Sequence, residues 1–324
     1  MRDGGYQMNE PMKVLIGYDG SDYADAALDE LRRAGLPPEG AALIVTVGDV
    51  IFTPPLASHE IIEKAVTSQR VTSAIELAQA QETQSLGEAQ RLASVAARRV
   101  EECLPGWDVL PKTLAGTPSP ELLREAELWE PDLIVVGSRG RSALGRLFLG
   151  SVSKTLASES RSSVRVARRA AGKLDATAGR RIIVGVDGSP GAARAVRAVG
   201  TRAWPAGTEV RLVVVVDGSG PTRLADVAPR LEEFMTGYDE GAPLNARLMA
   251  EGARVALLAE GLGASVEIRE GDPRRVLVEE ARKWRADCVF VGARGVGGEF
   301  ADTGLGGVST RLVTGAYCSV EVVR

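Results

Sequence analysis

The sequence predicts two tandem α/β domains of the doubly wound kind, each a parallel sheet with helices on both faces. Three observations carry this. The chain has 324 residues, a length that favours about two ordinary domains. It also repeats itself: Val14-Leu15-Ile16-Gly17-Tyr18-Asp19-Gly20-Ser21 returns as Ile182-Ile183-Val184-Gly185-Val186-Asp187-Gly188-Ser189, 168 residues later. Finally, each copy alternates short apolar runs with stretches of helical period, and parallel strands need a crossover connection, usually a helix.

The repeat persists along the chain. Val47-Gly48-Asp49 maps onto Val215-Val216-Asp217 at the same offset of 168. Gly116-Thr117-Pro118 then maps onto Gly271-Asp272-Pro273, Trp129 onto Trp284, and Asp132 through Gly140 onto Asp287 through Gly295, all at 155. Ser163-Val164-Arg165-Val166 maps onto Ser319-Val320-Glu321-Val322 at 156. The second copy has therefore lost 13 residues between its second and third strands and gained one later. This organisation gives a polar N-terminal tail over 1–12, a first domain over 13–168, a linker over 169–180 and a second domain over 181–324.

Within each copy the first strand is a run without polar alternation, Val14 to Gly17 or Ile182 to Val186, as suits a strand buried on both faces. Ser21 or Ser189 then caps a helix whose apolar face is Ala24, Ala27, Leu28 and Leu31 in one copy and Ala192, Ala195, Val196 and Val199 in the other; Pro190 takes the first helical position. Second strands follow at Leu43 to Val47 and Val210 to Val216. Leu86, Ala89, Leu92, Ala93, Ala96 and Val100 mark a long second helix, where the length difference falls. Third helices begin at Thr117-Pro118 and Asp272-Pro273 and end near Trp129 and Trp284, each a capping residue followed by proline. Leu133 to Val136 and Cys288 to Val291 are fourth strands; Val164 to Ala167 and Val320 to Val323 are short fifth strands at sheet edges.

Composition excludes several classes. With a net charge of −4 and no long basic block, nucleic acid is not an expected partner. No apolar stretch reaches the ~18 residues of a membrane span, and Met1 to Glu10 is polar, so no membrane association and a cytoplasmic location are expected. Cys103, Cys288 and Cys318 lack paired spacing and read as reduced, buried thiols. The single histidine, His59, has no partner at metal or triad spacing, so neither a metal site built from side chains nor a catalytic residue is expected. Neither a Walker phosphate loop nor G-x-G-x-x-G after a first strand is present. Arg168-Arg169 near Arg161 and Arg165 reads as a solvated edge and linker.

The chemistry-bearing motif follows the fourth strand of the first copy: Gly137-Ser138-Arg139-Gly140, nine residues, then Gly150-Ser151-Val152-Ser153 leading into a helix. Glycine lets backbone N–H groups approach a phosphate, and a helix N-terminus adds donors and partial positive charge. Arg139, Arg141 and Arg146 suit phosphate oxygens, Ser151 and Ser153 offer hydroxyls, and Lys154 follows. The motif stands at the C-terminal end of a parallel strand, where such sheets bind ligands. Asp19 and Asp187 end their first strands and can accept bonds from a base or ribose, or cap the following turn. In the second copy the loop is Gly292, Arg294, Gly295, then ten residues, then Gly306-Gly307 and Ser309; Glu299 and Asp302 stand where the first loop has Arg141 and Arg146, and carboxylates repel a triphosphate.

These residues resemble the universal stress proteins, and specifically their ATP-binding branch in tandem form, over Met12 to Arg324. The resemblance implies Rossmann-like (adenine nucleotide alpha hydrolase-like) domains of five parallel strands. It implies ATP, with or without Mg2+, as the bound cofactor, with the base near Asp19 and the backbone at Val47. The phosphates would lie on Gly137, Gly140, Gly150, Ser151, Val152 and Ser153. The matching second positions are Asp187, Val215, Gly292, Gly295, Gly306, Gly307 and Ser309, where the altered loop puts binding in question. Edge strands make the dimer in this family, which implies pairing of the two domains within the chain, or a homodimer, and an unknown protein partner. The expected function is an ATP-binding regulator of the stress response rather than an enzyme. A superfamily enzyme with slow ATP hydrolysis or adenylyl transfer, and a nucleotide-free interaction module, are the alternatives.

Overall fold

A computed structural model of the chain describes residues 11–48, 69–140, 149–168, 177–216, 242–295 and 304–324. The first half comprises β1 (Met12–Gly17), α1 (Asp22–Leu31), β2 (Gly40–Gly48), α2 (Gln69–Cys103), β3 (Trp107–Ala115), α3 (Pro118–Trp129), β4 (Leu133–Gly137), α4 (Ser151–Glu159) and β5 (Ser163–Ala167). The second comprises β6 (Arg181–Val186), α5 (Pro190–Gly200), β7 (Glu209–Val216), α6 (Ala242–Ala259), β8 (Gly263–Glu270), α7 (Pro273–Trp284), β9 (Cys288–Gly292), α8 (Gly307–Gly315) and β10 (Ser319–Val323).

The strands form one ten-stranded sheet in the order β3-β2-β1-β4-β5-β10-β9-β6-β7-β8. Each half is five parallel strands, the Rossmann-like arrangement predicted above, and the only antiparallel step among the described pairings joins β5 to β10, with Arg165 directly opposite Glu321. Met12 already pairs with Gly40, so β1 begins one residue inside the stretch assigned to the tail. The end of the linker is packed too: Arg180 is 3% exposed and its N–H donates to Thr208 Oγ1 at 3.1 Å.

The first helices sit where their capping serines place them. Ser21 and Ser189 each accept the N–H three residues on, at 3.2 Å, and Ala24, Ala27, Leu28 and Leu31 are all buried. Among the described residues α2 spans 35 residues and α6 spans 18. On one face of the sheet two separate cores lie under α1 and α2 and under α5 and α6. On the other face a single core runs through both halves, from Leu122 and Leu156 to Leu277 and Leu312.

The interface corrects the expectation of a solvated basic edge. Arg165 is 1% exposed; its guanidinium donates to Glu30 and to Glu321, both at 3.0 Å. Arg202 also pairs with Glu321, and Ser319 Oγ donates to Glu30 at 2.6 Å. A strand edge that looks polar in sequence is thus an ion-pair cluster at the junction. Cys288 and Cys318 are buried, and burial pushes the Cys318 thiol up to about 12; Cys103 is half-buried rather than core. His59, Asp49, Asp217, Arg141, Arg146, Arg169, Glu299 and Asp302 lie outside the described residues.

Candidate functional site

In each half the order of strands reverses direction between the first and fourth strand, and the crevice outside their carboxyl ends is where such sheets take ligands. In the first half a cavity of 540 Å3 lies there, within the size range of small-molecule sites. Its walls come from the ends of β1, β2 and β4, from α2, and from the N-termini of α3 and α4.

Asp19 lies in this cavity wall. One carboxylate oxygen accepts the Ser21 N–H at 3.0 Å, so the turn-capping role expected of it is real. The other lies 2.7 Å from where a Cβ on Gly140 would stand; any larger residue there would displace the aspartate. Gly137 is also constrained, since a Cβ would come within 2.6 Å of the Tyr23 backbone in the first turn of α1. Gly137 is therefore required by the close approach of backbone, whatever the cavity holds, whereas Gly140 is held to glycine by the Asp19 side chain alone.

Val47 is also in the wall. Tyr18 N–H donates to the Val45 carbonyl at 2.9 Å, and strand alternation turns the Val47 N–H and C=O to that same side, past the end of β1. Gly150 caps α4 without a side-chain bond, and the first intrahelical bond described is Lys154 N–H to Gly150 C=O at 3.0 Å. The N–H groups of Ser151, Val152 and Ser153 thus have no acceptor within the helix, and all three residues line the cavity. The Ser153 hydroxyl, however, donates to Gly137 C=O at 2.6 Å; it ties the helix to β4 and is not a donor for a ligand. Lys154 is exposed.

Arg139 is in the wall and lies over the Tyr23 ring, 4.9 Å from its centroid, with a hydrogen bond to the Tyr23 hydroxyl. Tyr18 donates to Asp25 at 2.7 Å, and burial together with that bond pushes its phenol up to about 12; it stays neutral. Thr117, Ser119, Ser85 and Glu88 complete the polar rim. No local motif marks these four, or Tyr23 beneath Arg139, as parts of a ligand site. The comparison of Thr117 and Ser119 with Asp272 and Arg274 at the 155-residue offset, and of Tyr23 with Gly191 at 168, carries a signal for three of them.

The second half repeats the backbone closely. Asp187 accepts from Ser189 N–H at 3.0 Å, Gly306 N–H donates to Ala293 C=O at 2.9 Å as Gly150 does to Ser138, and Ser309 Oγ donates to Gly292 C=O at 2.8 Å. A Cβ on Gly295 would meet Asp187 at 2.2 Å. Val215 on β7 lies past the last pairing with β6, Val186 with Val214, as Val47 on β2 lies past the last pairing with β1, Gly17 with Val45. The side chains differ: Gly191 replaces Tyr23, so Arg294 has no ring at that position, and Gly307 replaces Ser151. Asp272 caps α7 through Arg274 N–H at 2.9 Å and pairs with the Arg274 guanidinium at 2.8 to 3.1 Å. The Arg274 stem lies 3.7 Å from where a Cβ of Gly307 would be.

Among the described residues no group of three His, Cys, Asp or Glu could hold a metal ion, and no helix is long and apolar enough to cross a membrane.

A family model described as the universal stress protein family matches residues 11–168 and again 179–324. A universal stress protein of Mycolicibacterium smegmatis is 28% identical over 318 residues, covering 96% of each chain. One of Mycobacterium tuberculosis is 26% identical, over 98% of this chain and 99% of its own. The crystal structure of a universal stress protein from Archaeoglobus fulgidus matches with a TM-score of 0.61 at 20% identity, over 96% of this chain and 98% of that one, which bears on the fold alone. With two tandem segments matched across nearly its whole length, the chain belongs to the universal stress protein family, in its two-domain form.

Proposed function

We propose that the chain is an ATP-binding regulatory protein of the stress response, with nucleotide held chiefly in the first half. The observation that carries this is the cavity in which Asp19, the Val47 backbone and the uncapped N-terminus of α4 converge. The helix terminus suits phosphates, Arg139 supplies a guanidinium oriented by Tyr23, and Asp19 and Val47 offer acceptors and a donor to a base or ribose. Gly137, Gly140, Gly150, Ser151 and Val152 contribute backbone, and Ser153 its N–H only. Mg2+ would arrive with the triphosphate.

Asp187, Val215, Gly292, Arg294, Gly295, Gly306, Gly307 and Ser309 keep the same backbone frame, but the Asp272–Arg274 pair stands at the positions that correspond to Thr117 and Ser119 in the rim of the first half. Occupancy of the first half alone would bias the surface offered to a protein partner. Among the hydroxyls that line the cavity, that of Ser153 is engaged by the Gly137 carbonyl.

Isothermal calorimetry with Mg-ATP tests this directly. One binding event per chain is expected; two of similar affinity would overturn the asymmetry, and none would overturn the nucleotide reading.

A further inference from the structure

β5 and β10 each continue into an arginine, Arg168 after Ala167 and Arg324 after Val323. The two are equivalent in the repeat, 156 residues apart. Because β5 and β10 run antiparallel, each strand delivers its arginine into the opposite half. Arg324 donates through Nη2 to Ala157 C=O at 2.6 Å and Ser158 C=O at 3.2 Å, both in the last turn of α4. Arg168 donates to Val313 C=O in the last turn of α8 and to Cys318 C=O at 3.2 Å.

The last four carbonyls of a helix have no partner within it, and a cation there complements the helix dipole. Burial lowers the pKa of both guanidiniums, yet an arginine so shifted keeps its charge. A second tie reaches α4 from the same direction: Gly304, at φ +107°, donates its N–H to Ser158 C=O at 2.6 Å. Gly304 stands between Arg294 and Gly306, in the loop of the second half that corresponds to the phosphate loop of the first.

α4 and α8 are the helices whose N-termini carry Gly150-Ser151 and Gly306-Gly307, the two cradles described above. α4 has nine residues, a rod of about 14 Å, too short to flex when one end is held. We infer that each half positions the phosphate helix of the other: Arg324, on the second half, is a positioning residue for the nucleotide cradle of the first, and Arg168 is its counterpart for α8. This rests on the nucleotide reading of the first half. It gives the second half a part in binding at the first even with its own cradle altered.

The test uses the full chain and ATP affinity by calorimetry, with melting temperature measured alongside. R324A should weaken ATP binding about five-fold, in line with the loss of one charge and its bonds at a helix C-terminus. R168A, which removes the equivalent contact from α8 and a cation within electrostatic reach of Arg139, should lose clearly less affinity than R324A while lowering the melting temperature comparably. R324K, which keeps a cation there, should recover most of the loss. Unchanged affinity in R324A, or an equal loss in R168A, would overturn the inference while leaving the nucleotide reading standing. A wild-type chain with no ATP affinity would remove the site to be positioned and overturn both.

Discussion

In the first half α3 begins at Thr117, whose side chain makes no capping bond and faces the cavity; in the second α7 begins at Asp272, which caps its own helix and grips Arg274. The same contrast holds at the next helix, where Ser151 stands opposite Gly307 in the repeat, and in the first turn, where Tyr23 stands opposite Gly191. Behind these positions almost nothing changes. Gly137 and Gly292 both let a strand end touch the first turn of a helix, and Ser153 and Ser309 both tie the next helix to that strand. The residues that hold the loop are held by folding, and they repeat. Of those that face the cavity, Thr117, Ser119 and Ser151 are free of that demand, and they diverge. A glycine loop is therefore weak evidence for a ligand by itself, and the rim decides.

The halves differ most consequentially where they meet. Arg165 and Glu321 are equivalent in the repeat and directly opposite in the β5–β10 ladder, so two copies of either half paired in the same way would set like charges face to face, which is destabilising. The cluster thereby favours the joining of unlike halves. E321A should cost about 3–5 kcal/mol, because it strands Arg165 and Arg202 without their shared partner in a buried site; denaturant unfolding would read this. A loss below about 1 kcal/mol would mean that Glu30 satisfies the remaining charge, and that the pairing of unlike halves does not depend on Glu321.

That cluster also marks where sequence legibility ended. The inner strands were legible because burial on both faces makes them continuous apolar runs, as in Leu133 to Val136. β3 and β8 were not located. They are the outer strands, with Leu110 61% and Ile268 39% exposed, and β3 carries Pro111, tolerated at an edge but a poor strand signal. The glycine frame of the site was legible for the same reason that it repeats: its spacing is a local backbone requirement. Ser85 and Glu88 reach the cavity only through tertiary packing. Arg165 and Arg168 looked solvated because nothing local records that an antiparallel neighbour will cover them.

If the rim decides, moving it should move binding. T117D/S119R imports the Asp–Arg pair into the first half without touching a loop glycine. ATP affinity should fall at least about ten-fold, since the triphosphate then meets a carboxylate and a side chain at the mouth and loses two hydroxyl groups. Calorimetry on the full chain reads it. Retained affinity would show that the rim is permissive, and would return the asymmetry to the loop between Gly295 and Gly306.

The smallest effect tests whether the pair in the second half is formed at all in solution. Hydrogen bonds from the Arg274 side chain and N–H, with the nearby positive charge, hold the Asp272 carboxyl below its ordinary value of 3.8. A carboxylate depressed in the folded state contributes stability that is present above its unfolded pKa and lost as pH falls through the folded one. Any contribution from this exposed pair therefore disappears in acid below about pH 4 and is constant at neutral pH. Following the Asp272 carboxyl carbon by NMR should show a low midpoint that rises toward the ordinary value in R274S. A midpoint already ordinary in the wild type would mean that Arg274 is loose. The rim of the second half would then be open to a ligand, and the contrast with Thr117 and Ser119 would reduce to one of charge alone.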